Sequence, residues 1–300
     1  MFDLITIGHF AIDIIILPGE EKPKRRLGGP PTYTSLAARK LGSSVSVISK
    51  VGGDFPSRYI EWLKRRSVDL SGLKIDKRSQ TTSFLIKYYP NDERDMILKG
   101  RAPPIRIEDL PESIRAKAVH ISPIANEVAM DLMAEASRIA PIVSLDPQGL
   151  LRCFNKDGRM RLQGIRDLAF LKHIKVFKSS REEIRVLTGK NDVTEAIRKV
   201  RSHNVEVVMV TMGEEGTIIS FDNKILRVPV AEPKAVVDPT GAGDVFIGAF
   251  LAEYIKDEDP LWCACLGAAA ASFVVEKIGP NGFRGRREVY MRARQVYEKL

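Results

Sequence analysis

The amino-acid sequence predicts an α/β fold in which helices cover both faces of a mostly parallel β-sheet. Short apolar runs rich in β-branched residues recur at residues 119–122, 142–145, 176–178 and 205–211. Stretches with helical periodicity lie between most of these runs, at residues 125–139, 181–187 and 193–201. Strands that alternate with helices at this interval are joined by right-handed crossovers, which make the strands parallel and place helices on both faces.

The N-terminal part of the chain contributes further elements of the same two kinds. Residues 4–7 and 45–50 are predicted to be buried strands, and residues 57–66 a helix. Residues 32–41 form another helix, which Gly42 closes because glycine accepts the left-handed conformation at a helix C-terminus.

Two β-rich stretches, residues 10–17 and 82–98, do not fit this alternation. A charged turn over residues 18–26 follows the first, and the second is predicted to be a hairpin that turns at Pro90-Asn91-Asp92. We expect both stretches to form a small separate sheet. Asp13 is the only charged residue of the first stretch, and a buried carboxylate is costly without partners, so we expect a functional role for it.

The composition is that of a folded globular chain with a net charge of +9 at pH 7. Its basic residues are spread out, without interleaved aromatic residues, which favours a solvated basic surface and no nucleic-acid partner. Cys263 and Cys265 lie in an Ala-rich stretch without further zinc ligands, so we expect them in the core. No signal peptide and no apolar run of ~18–20 residues is recognised, which predicts a soluble cytoplasmic protein without a membrane partner.

The segment Asp238-Pro239-Thr240-Gly241-Ala242-Gly243-Asp244 is the most informative part of the chain. A helical pattern follows it, and Val236-Val237 before it is predicted to be the end of a strand. Free amides and the helix dipole at such a helix start attract an anion, and Gly241 and Gly243 allow the backbone to approach a phosphate closely.

Asp244 stands where it would repel that anion, which indicates that it acts on a neighbouring group. A carboxylate beside a transferring phosphoryl group can accept the proton of the attacking hydroxyl. The alternative is that Asp244 only caps the helix; its place in a strand–turn–helix segment favours the base. Walker, dinucleotide-binding and protein-kinase motifs are absent, and Phe246 occupies the position of the third dinucleotide glycine.

This segment resembles the C-terminal signature of the ribokinase-like (PfkB) carbohydrate kinases. Three further segments resemble motifs of that family: Gly28-Gly29 with its following helix, residues 178–189 (K-x-N-x-x-E…L-T-G), and residues 211–216 (T-x-G-x-x-G). The resemblance implies one Rossmann-like α/β domain over residues 1–300, with a β-sheet lid formed by roughly residues 10–27 and 82–100. It also implies an ATP-dependent kinase.

The resemblance assigns roles to individual residues. Asp244 would be the general base, beside an anion hole formed by the amides of Gly241, Ala242 and Gly243. Substrate hydroxyls would be held by Asp13, Gly28 and Gly29. The nucleotide site would comprise Lys178, Ser180, Glu183, Thr211, Gly213 and Gly216. Glu183 would organise Mg²⁺ through water, and a monovalent cation near Asp238 is left open.

Three departures from the family pattern bear on the substrate and the metal. Tyr33, Ser180 and Gly267 stand where many members have Asn. Because Tyr33 lies at the substrate, we expect a specificity other than that of an ordinary ribokinase or fructokinase. Gln148 and Arg152 follow a strand end, where open α/β sheets bind ligands. They are either substrate contacts or residues of a solvent-facing loop, and both interpretations stay open.

The expected acceptor is a polyhydroxylated small molecule, with myo-inositol or a hexose favoured by the resemblance, the short connection at residues 18–27 and Tyr33. A nucleoside or a vitamin-type hydroxymethyl group is the alternative acceptor. A nucleotide-binding regulator without turnover is the alternative class, against which Asp244 argues. A homodimer formed through lid sheets is left open.

Overall fold

The computed structural model describes residues 1–16, 18–19, 22–89 and 94–300. The strands are β1 (Phe2–Ile7), β2 (Ala11–Ile16), β3 (Lys24–Gly28), β4 (Val45–Gly52), β5 (Val68–Asp76), β6 (Ser83–Tyr88), β7 (Arg94–Gly100), β8 (Ala116–Ile121), β9 (Ile142–Leu145), β10 (Arg152–Phe154), β11 (Met160–Leu162), β12 (Val176–Ser180), β13 (Val207–Thr211), β14 (Thr217–Phe221) and β15 (Lys224–Val228). The α-helices are α1 (Pro30–Lys40), α2 (Ser57–Lys64), α3 (Asp131–Ile139), α4 (Gln148–Leu151), α5 (Arg181–Thr188), α6 (Val193–Arg201), α7 (Ala242–Tyr254), α8 (Pro260–Val274) and α9 (Arg286–Tyr297).

Within the described residues, nine strands pair into the central sheet in the order β15-β14-β13-β12-β9-β8-β1-β4-β5. Neighbours from β13 through to β5 are parallel. Only β13–β14 and β14–β15 are antiparallel among these pairs, so the β14–β15 hairpin forms one edge of the sheet. The predicted mostly parallel sheet is therefore confirmed.

Helices cover both faces of this sheet, as predicted. Along β1, Leu4 packs into the cluster with α1, α7, α8 and α9, whereas Ile5 packs into the cluster with α3, α5 and α6. Successive strand residues point to opposite faces, so a strand buried on both sides is apolar throughout. Cys263 and Cys265 are fully buried in the first cluster, which confirms them as core residues. No helix in the described ranges is long and apolar enough to cross a bilayer.

The two stretches that left the alternation do form a separate sheet, with the strand order β3-β2-β6-β7. We call it the lid sheet. Its central pair, β2 and β6, is parallel, so the sheet joins two distant parts of the chain. The charged turn predicted over residues 18–26 is wrong in its second half, because β3 pairs with β2 while its basic side chains stay near the surface. The predicted turn at Pro90-Asn91-Asp92 lies outside the described residues.

Local contacts delay the helix predicted over residues 125–139, which begins only at Asp131. The buried Glu127 carboxylate accepts hydrogen bonds from the amides of Ile124 and Ala125. It also accepts one from the amide of His9, which follows β1. Asn126 adopts a left-handed φ of 58°. These contacts satisfy the backbone in a loop, so the helix does not start earlier.

The strand predicted at Val236-Val237 is also absent from the described residues. The last strand, β15, ends at Val228, and the two valines are 62% and 45% exposed. Prolines at 229, 233 and 239 interrupt this segment, and proline cannot donate to a β-ladder. The amides of Val237 and Asp238 instead reach the carbonyl of Val275 after α8, at 2.8 and 3.1 Å.

The connectivity creates a crevice beside β1. The chain continues from β1 to β4 on one side and later returns as β8 on the other. Ligands in open α/β sheets bind at the carboxyl ends of the strands where the order reverses in this way. Beneath this crevice, Lys178 of β12 forms a 2.7 Å ion pair with Asp146 after β9, and their side chains are only 7% and 1% exposed.

Replacing this buried lysine should destabilise the protein strongly. Lys178→Met leaves the Asp146 carboxylate buried without its cation, so we expect the free energy of unfolding to fall by about 3–5 kcal/mol. Urea denaturation measures this loss. The control is Lys117→Met, which removes a 2.9 Å pair with Asp3 whose side chains are 45% and 27% exposed; a change below about 1 kcal/mol is expected there. Equal losses in the two variants would contradict the prediction.

Candidate active site

An open cleft of about 690 Å³ lies between the lid sheet and the carboxyl ends of the central strands. Of the residues predicted to form a site, all but Gly28 and Gly216 line it: Asp13, Gly29, Tyr33, Gln148, Arg152, Lys178, Ser180, Glu183, Thr211, Gly213, Gly241, Ala242, Gly243 and Asp244. Gly28 lies directly behind the wall, against the Asp13 carboxylate. Gly216 belongs to a turn instead, where a Cβ would meet the Val228 carbonyl at 2.3 Å.

The start of α7 forms one end of the cleft. Gly241 precedes the helix with a left-handed φ of 79°, and Ala242 is the first helical residue. The amide of Ala242 contacts the Pro239 carbonyl at 3.3 Å, while those of Gly241 and Gly243 have no acceptor among the described residues. Amides at a helix N-terminus are suited to hold an anion.

The two glycines of this turn are required by their neighbours in the protein. A Cβ on Gly241 would lie 2.4 Å from the Tyr33 ring, and a Cβ on Gly243 would lie 2.5 Å from Nζ of Lys178. The ammonium group of Lys178 therefore stands beside the helix start. Burial lowers the pKa of this lysine, but the opposite effect of Asp146, Asp244 and Glu183 together is larger. The pKa is therefore raised overall, and the group stays charged.

Asp244 lies in the first turn of α7 with its carboxylate in the cleft. Burial raises its pKa, Asp146 adds to the rise, and Lys178, Arg152 and Gln148 oppose it, which leaves the pKa at about 7. The carboxylate accepts a 3.3 Å hydrogen bond from Nε2 of Gln148. A carboxyl group with a pKa near neutrality is suited to proton transfer at physiological pH.

Gln148 and Arg152 belong to the cleft wall rather than to a solvent-facing loop. Nη2 of Arg152 donates to Oε1 of Gln148 at 2.7 Å, and Nε2 of Gln148 also contacts Oγ of Ser122 at 3.1 Å. The amide of Gln148 donates to Oδ1 of Asp146 at 3.2 Å. Both residues therefore line the cleft, and their contact with a substrate stays a prediction.

The lid side of the cleft carries Asp13, whose side chain is 5% exposed. Its carboxylate packs on the backbone of Gly28, where a Cβ would lie 1.9 Å from Oδ2. Gly29 has a φ of 84°, and a Cβ there would meet the His9 carbonyl at 2.3 Å. The glycine pair thus permits the carboxylate and the start of α1 to approach each other closely.

Tyr33 is buried between this wall and the start of α7. Its hydroxyl has no hydrogen-bond partner among the described residues. Burial and the nearby charges of Asp13, Asp238 and Asp244 raise its pKa well above the ordinary value, so it remains a neutral phenol. A buried hydroxyl of this kind is a donor available to a ligand in the cleft.

Another part of the cleft wall is formed by the start of α5 and by the turn after β13. Ser180 and Glu183 form a capping box, in which Oε2 of Glu183 accepts the Ser180 amide at 2.8 Å. Thr211 and Gly213 follow from the next strand. Arg181 adds a 2.7 Å ion pair with Glu215. No group of three or more potential metal-ligating side chains occurs among the residues with described positions.

The lid sheet touches the glycine-rich segment through Tyr88. Its hydroxyl lies 2.6 Å from Oγ1 of Thr240 and 3.2 Å from Oδ1 of Asp238. The other oxygen of Asp238 accepts the Gly279 amide at 2.9 Å. A single buried carboxylate therefore joins the lid, the helix start and the C-terminal turn.

Sequence reasoning missed several residues of the cleft. Asp146 could have been found, because it directly follows a strand end and stands two residues before Gln148. Tyr88 has no sequence signal, since its partners lie about 150 positions away. The β10–β11 hairpin, which contributes Arg159 and Met160 to the wall, was missed because its strands span three residues each.

Comparisons with known proteins identify the family of this chain. The sequence matches the pfkB family carbohydrate kinase model over residues 1–283. A cytidine kinase of Thermococcus kodakarensis is 30% identical over 285 residues, covering 93% of this chain and 98% of that protein. An inositol 3-kinase of Arabidopsis thaliana is 27% identical over 291 residues, covering 93% of this chain and 76% of that protein.

Among solved structures, the sulfate complex of a pyrophosphate-dependent kinase in the ribokinase family superposes with a TM-score of 0.82 at 26% identity, covering 95% of this chain and 99% of that chain. The fold and the cleft agree with the family match, which spans nearly the whole chain. The chain therefore belongs to the pfkB family of carbohydrate kinases and is a kinase.

Proposed function

We propose that this kinase transfers the γ-phosphoryl group of ATP to a hydroxyl of a sugar or cyclitol, with myo-inositol or a hexose as the favoured acceptor. One observation carries the proposal: the carboxylate of Asp244, with a pKa of about 7, shares one cleft with free helix-start amides and with the Asp13 carboxylate. A base, an anion site and a hydroxyl-binding group are what phosphoryl transfer to an alcohol requires.

In the proposed reaction, Asp244 accepts the proton of the acceptor hydroxyl as its oxygen attacks the γ-phosphorus. The new O–P bond forms, the bond from the γ-phosphorus to the bridging oxygen breaks, and ADP leaves. The amides of Gly241, Ala242 and Gly243 stabilise the negative charge on the transferring group, and the Lys178 ammonium beside them adds to that stabilisation.

The acceptor end would be formed by Asp13, Gly29, Tyr33, Gln148 and Arg152, with Gly28 packed against the Asp13 carboxylate outside the cleft lining. These residues offer a carboxylate acceptor, a phenol, an amide and a guanidinium group within one wall of the cleft. A cyclitol or sugar presents hydroxyls on all sides, each of which donates and accepts, so this mixture of groups matches it. Similarity to an inositol 3-kinase supports the cyclitol.

The donor end would be formed by Lys178, Ser180, Thr211 and Gly213, whereas Gly216 does not line the cleft. Mg²⁺ takes most of its ligands from phosphates and water, so a single nearby carboxylate suffices, and the capping box engages only Oε2 of Glu183 among described groups. Glu183 would therefore hold Mg²⁺ through water, and the ion would neutralise charge on the donor phosphates. Dependence on a monovalent cation near Asp238 is left open.

A nucleoside is the second candidate acceptor. The lid side of the cleft also presents Phe84, Ile97 and Met160, an apolar surface on which a base could lie. Similarity to a cytidine kinase supports this candidate.

A coupled assay of donor consumption with cyclitols, hexoses and nucleosides, each with Mg-ATP and with pyrophosphate, distinguishes the acceptors and tests the donor. Absence of turnover with every acceptor would refute the proposal.

Asp244→Asn should remove most of the turnover without removing donor binding. The amide cannot accept the hydroxyl proton, so we expect kcat to fall by roughly 10²–10⁴-fold, the contribution of a positioned base. Calorimetric titration with a nonhydrolysable ATP analogue should give an affinity close to that of the unmodified protein. Near-normal turnover in this variant would show that Asp244 is not the base.

The reaction should depend on the protonation of the same group. Burial raises the pKa of Asp244, and with the effects of Lys178, Asp146, Arg152 and Gln148 it lies at about 7. The neighbouring Tyr33 remains a neutral phenol. Only the carboxylate accepts a proton, so kcat/KM for the acceptor should rise about tenfold per pH unit below that pKa and level off above it. A flat acidic limb would contradict the assignment.

Asp13→Ala should chiefly weaken acceptor binding. The variant removes a hydroxyl-binding carboxylate far from the donor phosphates, and losing a hydrogen bond to a charged group costs about 1.5–3 kcal/mol. We therefore expect the acceptor KM to rise by roughly 10–100-fold while the donor KM changes little. Steady-state kinetics with each substrate varied in turn measures both, and an unchanged acceptor KM would count against this role.

A further inference from the structure

We propose that Gln148 and Arg152 are positioning residues that hold the Asp244 carboxylate in place and connect it to the lid sheet through the β10–β11 hairpin. The proposal rests on the proposed function, because Asp244 is taken as the base. The two residues were assigned above to the wall that binds the acceptor. The present proposal gives them a second role, which is to position Asp244.

The first step is the contact between Gln148 and the base. Nε2 of Gln148 donates to Oδ1 of Asp244 at 3.3 Å and lies 3.1 Å from Oγ of Ser122 at the end of β8. The side-chain amide thus fixes one carboxylate oxygen and leaves the other for the attacking hydroxyl. A glutamate could not donate this hydrogen bond and would repel the base, so the neutral amide is required.

The second step is the hold of Arg152 on Gln148. Nη2 of Arg152 donates to Oε1 of Gln148 at 2.7 Å, which is shorter than the contact from Gln148 to the base. Nη1 also reaches the Ile124 carbonyl at 3.3 Å. With Oε1 bound to a guanidinium group, the amide cannot flip, and its nitrogen must face Asp244.

The third step joins Arg152 to the lid. Arg152 opens β10, which pairs with β11. The Leu98 amide of lid strand β7 donates to the Gly158 carbonyl in the hairpin turn at 2.8 Å, and the rings of Phe84 and Phe154 are 6.1 Å apart. The hairpin is therefore fastened to the lid sheet by both backbone and side chains, and a lid displacement would move Arg152.

The charges around Asp244 come from separate elements. Lys178 lies on β12, Asp146 follows β9, and the neutral phenol of Tyr33 lies on α1, whereas Arg152 lies on the hairpin. Gln148 and Arg152 both lower the pKa of Asp244. Replacing either residue should therefore leave the Asp244 carboxylate less firmly positioned. It should also raise the pKa of Asp244, so that the group loses its proton at higher pH.

Gln148→Leu tests the contact with the base. We expect kcat to fall by roughly 10–100-fold, the value of a hydrogen bond to a charged group, with the acidic limb of the pH profile displaced to higher pH. Carboxyl ¹³C NMR titration of the protein without substrates, with Asp244 assigned by the signal lost in Asp244→Asn, should show the same upward displacement. Arg152→Met should reproduce both effects, and Arg152→Lys should recover part of them.

Gly158→Ala tests the connection to the lid. A Cβ at this position, with φ at +78°, would lie 2.3 Å from the Leu98 carbonyl oxygen and separate the hairpin from β7. The matched control is Gly189→Ala, which has a similar φ of +69° but no neighbour within 4 Å. We expect a several-fold lower kcat in Gly158→Ala than in the control at equal thermal stability.

Three results would overturn the proposal. An acceptor KM effect of Gln148→Leu with an unmoved acidic limb would make Gln148 a substrate contact only. An unchanged NMR titration of Asp244 in both Gln148→Leu and Arg152→Met would refute the hold on the base. Equal kcat in Gly158→Ala and Gly189→Ala would refute the connection to the lid. If the unmodified protein phosphorylates no acceptor, the proposed function fails, whereas the NMR titration still decides the role of Gln148 and Arg152.

Discussion

One buried ammonium group serves two carboxylates, and the organisation of the cleft depends on it. Lys178 gives Asp146 a 2.7 Å ion pair, while Asp244 receives only its longer-range attraction. Burial costs a carboxylate heavily, and a distant charge does not offset that cost. Asp244 therefore keeps a pKa near neutrality, whereas a second lysine at close range would have made it a permanently charged structural group.

The same crowding explains why glycines recur around the cleft. Side-chain groups occupy the space beside three of them: the Tyr33 ring at Gly241, the Lys178 ammonium at Gly243 and the Asp13 carboxylate at Gly28. A phosphate-binding backbone alone accounts for glycines at a helix start. Here the glycines also admit side chains of the protein itself, so the side chains of Asp244, Lys178 and Asp13 all reach one cleft.

The sequence was informative where a feature is local and periodic. Alternating strands and helices identified the parallel sheet, and the residues 238–244 identified the helix start and its carboxylate. Polar edge strands such as β3 and β5 lack an apolar run and were missed. Val236-Val237 is apolar but exposed, and its apolar character led to the wrong prediction of a strand. Prolines and the contact with the Val275 carbonyl determine the backbone conformation there. The Tyr88 contact joins distant parts of the chain and has no local signal.

Asp238 forms hydrogen bonds both to the lid sheet and to the segment before α7. Its oxygens accept the Thr240 amide at 3.0 Å, the Tyr88 hydroxyl at 3.2 Å and the Gly279 amide at 2.9 Å. A carboxylate offers about four lone-pair sites, so protein donors fill most of them. Withdrawal of Tyr88 with the lid would leave this buried carboxylate and the Thr240 hydroxyl less satisfied. The contact of Tyr88 with Asp238 and Thr240 therefore stabilises the observed position of the lid sheet against the start of α7.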